Sequence, residues 1–125
     1  MRVTIHQPEH LPWLGFFHKV NMADVFVVLD NVQFRKDYFL NRNQIRTACG
    51  KTWITIPVKN KMVMIKEVKI SCEHKWVKKY LNFIKENYIK SSFYSKYIDD
   101  LKRIINDACN CLCALNITKR NLSVL

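Results

Sequence analysis

Val3-Thr4-Ile5-His6-Gln7-Pro8-Glu9-His10-Leu11-Pro12-Trp13-Leu14-Gly15-Phe16-Phe17 is the stretch on which the fold turns. Val3, Thr4 and Ile5 are a short β-branched run suited to a buried strand. His6 stands where that strand ends. Pro8 disfavours helix at Gln7 and sends the chain into an extended turn. Pro12 suits the first position of a helix, where its φ is preset and its missing N–H costs nothing. Trp13, Phe16, Phe17 and Val20 then recur at helical spacing. The expected local structure is strand, polar turn and helix N-terminus, an arrangement that points backbone N–H groups and the positive end of a helix dipole at an anion.

Working outward, the apolar spacing stops between Asn21 and Asp24, and Val25-Phe26-Val27-Val28-Leu29 follows as a second strand of buried type. A crossover helix between two such strands predicts a parallel pair. His6 and Asp30 then lie together at its carboxyl edge, where open α/β sheets bind ligands. Gln33 to Arg42 mixes bases and aromatics without a period and reads as irregular. Gln44–Thr47 and Thr52–Ile56 read as strands around a turn holding Gly50, a hairpin pattern closed by Pro57. Glu67–Ile70 alternates and reads as one more strand. Trp76, Tyr80, Phe83, Ile84 and Tyr88 form one helical stripe, with Ser71 as its cap. Tyr94, Ile98, Leu101, Ile105 and Ala108 form another, capped by Ser91 or Ser92. Leu112–Leu125 begins a further helical pattern, broken at Thr118-Lys119-Arg120-Asn121. The fold class expected is α/β: a Rossmann-like parallel βαβ start, an added β-hairpin and C-terminal helices.

The 125 residues, 49% of them hydrophobic, suffice for one domain over residues 1–125. No apolar run approaches the roughly 18 residues of a membrane span, and the N-terminus lacks a signal-peptide core, so a cytoplasmic location is expected. The formal net charge of +11 favours anionic partners. Much of it lies in Lys75, Lys78, Lys79, Lys85 and Lys90, which read first as the solvated face of an amphipathic helix. Five cysteines, an odd number without paired spacing, argue against a disulfide framework. Cys109-x-Cys111-x-Cys113 and His6-x-x-x-His10 have the look of metal motifs. A helix would turn Cys111 away from its neighbours, and Pro8 prevents the helix that would align the two histidines. No metal and no cofactor are expected. With Gly15 and Gly50 as the chain's two glycines, neither a dinucleotide fingerprint nor a P-loop can be written.

What remains is a polar set without an obvious core role: His6, Gln7, Asp30, Gln33, Asn41, Arg42 and Asn43. His6 is a candidate general base, or it simply hydrogen-bonds the following turn. Arg42, between two asparagines, suits bidentate recognition of a phosphate or carboxylate, or is a surface loop arginine.

Taken together, I-H-Q-P-E-H-L-P-W-L-G-F-F, A-D-V-F-V-V-L-D-N-V-Q-F, N-R-N-Q-I-R and G-K-T-W-I-T-I-P-V resemble the WbqC-like family, in order from Thr4 to Val58 and more weakly to Ile117. Its members are bacterial and archaeal and are often encoded in O-antigen or other surface-polysaccharide clusters. The resemblance implies a transferase that places glycine or a similar acyl group on a nucleotide-activated amino sugar, an anionic small-molecule substrate. It carries His6, Gln7, Pro8, Pro12, Trp13, Gly15, Asp30, Gln33, Asn41, Arg42, Asn43 and Trp53 as motif positions. His6 and Asp30 are then the catalytic candidates, and Gln7, Trp13, Gln33, Asn41, Arg42 and Asn43 the substrate-binding ones. Two departures stand out: position 10, usually aromatic in the family, is His10, and members usually continue well past this chain's last residue. A competing expectation is a non-enzymatic RNA-binding module, carried by the charge and by the interleaved Phe34, Arg35, Lys36, Tyr38 and Phe39.

Overall fold

The structure, a computed structural model, describes residues 1–60, 62–71, 73 and 75–110. The expected helical pattern of Leu112–Leu125 and the Cys109, Cys111 and Cys113 side chains lie outside the described residues. In chain order the elements are β1 (Val3–His6), α1 (Leu14–Asn21), β2 (Val25–Val28), β3 (Arg42–Thr47), β4 (Gly50–Thr55), α2 (Lys75–Tyr88) and α3 (Tyr94–Asn110). The architecture is mixed α/β, as the hydrophobic pattern predicts.

β1 and β2 pair in parallel, with Val3 opposite Val25 and His6 opposite Val28. The Leu29 N–H donates to the His6 carbonyl at 2.8 Å and carries the pairing one residue further. α1 connects the two strands and buries Phe16, whose ring meets His6, Phe17 and Phe26 edge-on at 5.1 to 5.7 Å. The helix starts two residues later than the proline suggests. Trp13, extended at ψ 162°, is its N-cap, so Pro12 precedes the cap rather than opening the first turn.

The two strands are not the doubly buried kind that their apolar runs imply. Val3, Ile5, Val25 and Val27 stay 40 to 55% exposed on the face opposite α1. Parallel pairs are ordinarily covered on both faces. Here α1 supplies one cover, and among the described residues nothing supplies the other.

β3 and β4 form the antiparallel hairpin, in register from Arg42 opposite Thr55 to Thr47 opposite Gly50. Gly50 sits at φ +104°, a conformation that a side chain would strain. Alternation sends Ile45 and Ile54 to the core and Arg42, Gln44, Trp53 and Thr55 to the other face. Glu67–Ile70 is not a strand. A short 3₁₀ turn, Ile65–Glu67, occupies its start, and Ile70 forms an isolated bridge with Val58. The reason is packing: Ile65, Val68 and Ile70 are all buried, a spacing of three and two that no flat strand provides.

α2 and α3 pack together over the hairpin. Ile54, Ile56, Ile70, Val77, Tyr80, Ile104 and Ile105 form the main core, and Phe34, Leu40, Ile65 and Val68 form a second. Ser71 does not cap α2, which begins four residues later; its carbonyl accepts the Trp76 indole N–H at 2.8 Å instead. At α3, which begins at Tyr94, the Ser91 carbonyl accepts the Tyr94 N–H at 3.1 Å.

Candidate functional site

The turn from His6 to Pro12 is built by hydrogen bonds from the hairpin. The Asn43 side-chain amide donates to the carbonyls of His10 and Leu11 at 3.1 and 2.7 Å, and its oxygen accepts the Gln44 N–H at 2.7 Å. The His10 N–H donates to the Phe39 carbonyl at 2.8 Å. Between these anchors Leu11 is held at φ +47°, a left-handed conformation that costs a branched residue of order 1–3 kcal/mol. Its side chain packs against the main core, which holds it there. Asn41 works beside it. Its amide donates to the Ile56 carbonyl at 2.8 Å, and the Ile56 N–H returns to the Asn41 carbonyl at 2.8 Å. Asn43 thus ties the hairpin to the turn and Asn41 ties the start of β3 to the residue after β4, while the buried Asn41 Oδ1 has no hydrogen-bond partner among the described residues.

On this turn His6 is half-buried, with Nδ1 2.8 Å from the Gln7 carbonyl. A carbonyl only accepts, so Nδ1 carries the proton and Nε2 of the neutral ring carries the lone pair. Nε2 faces Glu9 Oε1 at 3.9 Å. Burial pushes the Glu9 carboxyl up from its ordinary value, against smaller opposing pulls from His6 and Lys19. Sequence reasoning passed over Glu9; its signal was a carboxylate three residues from His6 across a proline, which only the turn geometry brings together.

His10 is fully enclosed. Its Nε2 lies 2.9 Å from the Tyr80 hydroxyl on α2, and Nδ1 has no partner among the described residues. Burial drives the imidazole down to about 3. The same burial raises the Tyr80 phenol well above its ordinary value. His10 is therefore a neutral structural link between the turn and α2, committed to Tyr80 rather than to a ligand shared with His6.

Asp30 lies two residues beyond the end of β2, on the carboxyl edge with His6, and its carbonyl accepts the Lys66 N–H at 3.0 Å. No ion pair joins it to His6 among the described residues. Gln33 is exposed and makes an isolated bridge to Met64. Trp13 is 68% exposed and folds its indole over Gly15, where a Cβ would collide with it.

Arg42 is placed by the hairpin as the first residue of β3. Its guanidinium lies 4.3 Å over the Trp53 ring, with Asp37 at 3.6 Å and Nε buried without a hydrogen bond among the described residues. Phe39 leans on the same indole at 5.8 Å, and Tyr38 meets Phe39 at 5.7 Å. Phe34 is buried in the second core, so the interleaved run from Phe34 to Phe39 does not present a continuous stacking face.

Trp53 also forms a wall of a cleft of about 910 Å³ between β4 and α2. Lys75, Lys78, Lys79, Asn82 and Glu86 line its helical side, and Tyr80, the partner of His10, lies within it. The lysine run is thus divided: its first three members border the cleft, and Lys85 and Lys90 do not. No three His, Cys, Asp or Glu side chains gather as a metal site among the described residues. No helix among them is long and apolar enough to cross a membrane.

The WbqC-like protein family matches residues 7–123. An uncharacterized protein of Mycobacterium tuberculosis is 32% identical over 106 residues, which are 82% of this chain and 46% of that relative. The chain thus spans about half the length of that relative. No solved structure matches it.

Proposed function

The chain belongs to the WbqC-like protein family, and on that footing we propose that it carries the substrate-activating part of a transferase of surface-polysaccharide biosynthesis. The reaction is transfer of glycine or a similar acyl group from an ester or thioester to the amine of a nucleotide-activated amino sugar. The observation that carries this reading is the His6 imidazole, with Nδ1 tied to the Gln7 carbonyl and Nε2 left with its lone pair beside the buried Glu9.

Such a base takes a proton from the sugar ammonium. The freed amine attacks the acyl carbonyl, the C–N bond forms and the acyl C–O or C–S bond breaks; the donor's oxygen or sulfur leaves with the proton that His6 held, and the second proton lost by the nitrogen passes to solvent. Glu9 supports the imidazolium while it exists. Asp30, on the same strand edge, is the second candidate for contact with the amine. Gln7, Gln33 and Trp13 border that edge as substrate-binding candidates, and Arg42, pre-oriented on Trp53, serves an anionic group.

The test is His6→Ala in a relative of full family length, followed by mass-spectrometric detection of the amide product. The expected result is a rate loss of at least about a hundredfold, the usual contribution of a positioned base, with an unchanged melting temperature. Transfer at the parental rate would remove His6 from the chemistry.

A further inference from the structure

We propose that the cleft between β4 and α2 is a nucleoside-diphosphate subsite, separate from the strand edge that holds His6. The inference rests on the nucleotide-sugar reading above and assigns that substrate's nucleotide half to a place.

Three properties of the cleft select this ligand. Its volume of about 910 Å³ falls within the 300–1,000 Å³ of small-molecule pockets. Lys75, Lys78 and Lys79 occupy one turn of α2, at spacings that put their ammonium groups on one face. They stand at the helix's N-terminal end, where the backbone dipole adds to their charge. A neutral sugar has no use for three cations held within one turn; a diphosphate does.

The aromatic and acceptor groups continue the match. Trp53 and Phe83 give a base a wall to lie against. Asn82 and Glu86 follow Lys78 at intervals of four residues and offer a carbonyl and a carboxylate to ribose hydroxyls. From Lys75 to Glu86 the helix rises roughly 16 Å, at about 1.5 Å per residue, room for diphosphate, ribose and base in sequence. A long single-stranded nucleic acid is a poorer fit, because Glu86 puts a negative charge in the path of its backbone. Tyr80 joins the cleft to the His10 turn through its hydroxyl, and Arg42 backs the Trp53 wall. Both motif blocks therefore support the cleft without lining its cationic side.

The experiment is calorimetric titration of the chain with UDP, uridine and pyrophosphate, repeated on the double variant Lys78→Glu, Lys79→Glu. Both lysines are exposed, so the variant is expected to melt with the parent. UDP should bind more tightly than uridine or pyrophosphate, and the double variant should lose at least tenfold in UDP affinity. Lys78→Gln, Lys79→Gln should show a smaller loss. Equal UDP affinity in parent and double variant would overturn the assignment. So would pyrophosphate binding as tightly as UDP, or an RNA oligomer binding more tightly than UDP and lost in the same variant. Cleft binding that survives while a longer relative transfers no acyl group defeats the transferase reading alone. Transfer with UDP bound elsewhere defeats the cleft alone.

Discussion

Acidifying the chain from pH 7 to pH 4.5 is expected to weaken the folded state by about 2–3 kcal/mol through His10 alone. Folding lowers this imidazole from 6.5 to about 3. The folded state thus binds fewer protons than the unfolded one between those values. The stability is fully present above pH 6.5 and lost as pH falls towards 3. The structural cause is burial, which penalises the charged ring; beside it, Nδ1 has no acceptor among the described residues for a second proton. Glu9 acts with the opposite sign, since its raised carboxyl favours the folded state as it protonates. A comparison of variants therefore isolates the histidine. His10→Phe with Tyr80→Phe removes the ring and the hydroxyl that would otherwise be stranded. Urea midpoints at the two pH values should differ markedly in the parent and by far less in the pair. Equal acid sensitivity of the two proteins would mean that His10 does not titrate in the folded state as described.

Asn43→Asp should cost about 3 kcal/mol, because two hydrogen bonds to carbonyls are replaced by repulsion between a carboxylate and the same two oxygens. The His10 and Leu11 carbonyls lose their donor, and the strained φ of Leu11 loses its clamp. The effect reaches beyond stability, since the His6 ring is held by a turn that Asn43 organises. Asn43→Asp that still folds at low temperature should show a displaced His6 ring resonance, whereas Gln44→Ala on the exposed face should not. A loss below about 0.5 kcal/mol, the range of neutral surface changes, would show that the turn holds itself.

Much of this was legible in the residues. The β-branched run at Val3, the prolines at 8 and 12 and the stripe from Trp13 to Val20 announce β1, the turn and α1. Thr52-Trp53-Ile54-Thr55-Ile56 announces β4. What could not be read is where neighbours come from. Exposure of Val3 and Ile5 depends on whether anything covers the second face, which a run of valines cannot say. Glu67–Ile70 alternates like a strand, yet burial of Ile65, Val68 and Ile70 selects a 3₁₀ turn and a single bridge. In the site, the pattern of asparagines at 41 and 43 does not reveal that their amides donate to the Ile56 carbonyl and to the His10 and Leu11 carbonyls. The partner of His10 is Tyr80, 70 residues away, which no local pattern shows. Glu9 gained its place beside His6 only through the fold. The division of the lysine run between cleft and solvent likewise depends on how α2 meets β4.

The central claim is that the His6 turn and the Arg42–Trp53 face serve one anionic substrate. The direct measurement is nuclear magnetic resonance of the nitrogen-15-labelled chain during titration with a nucleotide-linked amino sugar. The account predicts saturating shifts of the Trp53 indole N–H, the Arg42 Nε–H and the His6 and Gln7 amides at one common ligand concentration. Shifts confined to Lys85, Lys90 and the outer surface of α2, with the His6 turn silent, would contradict it.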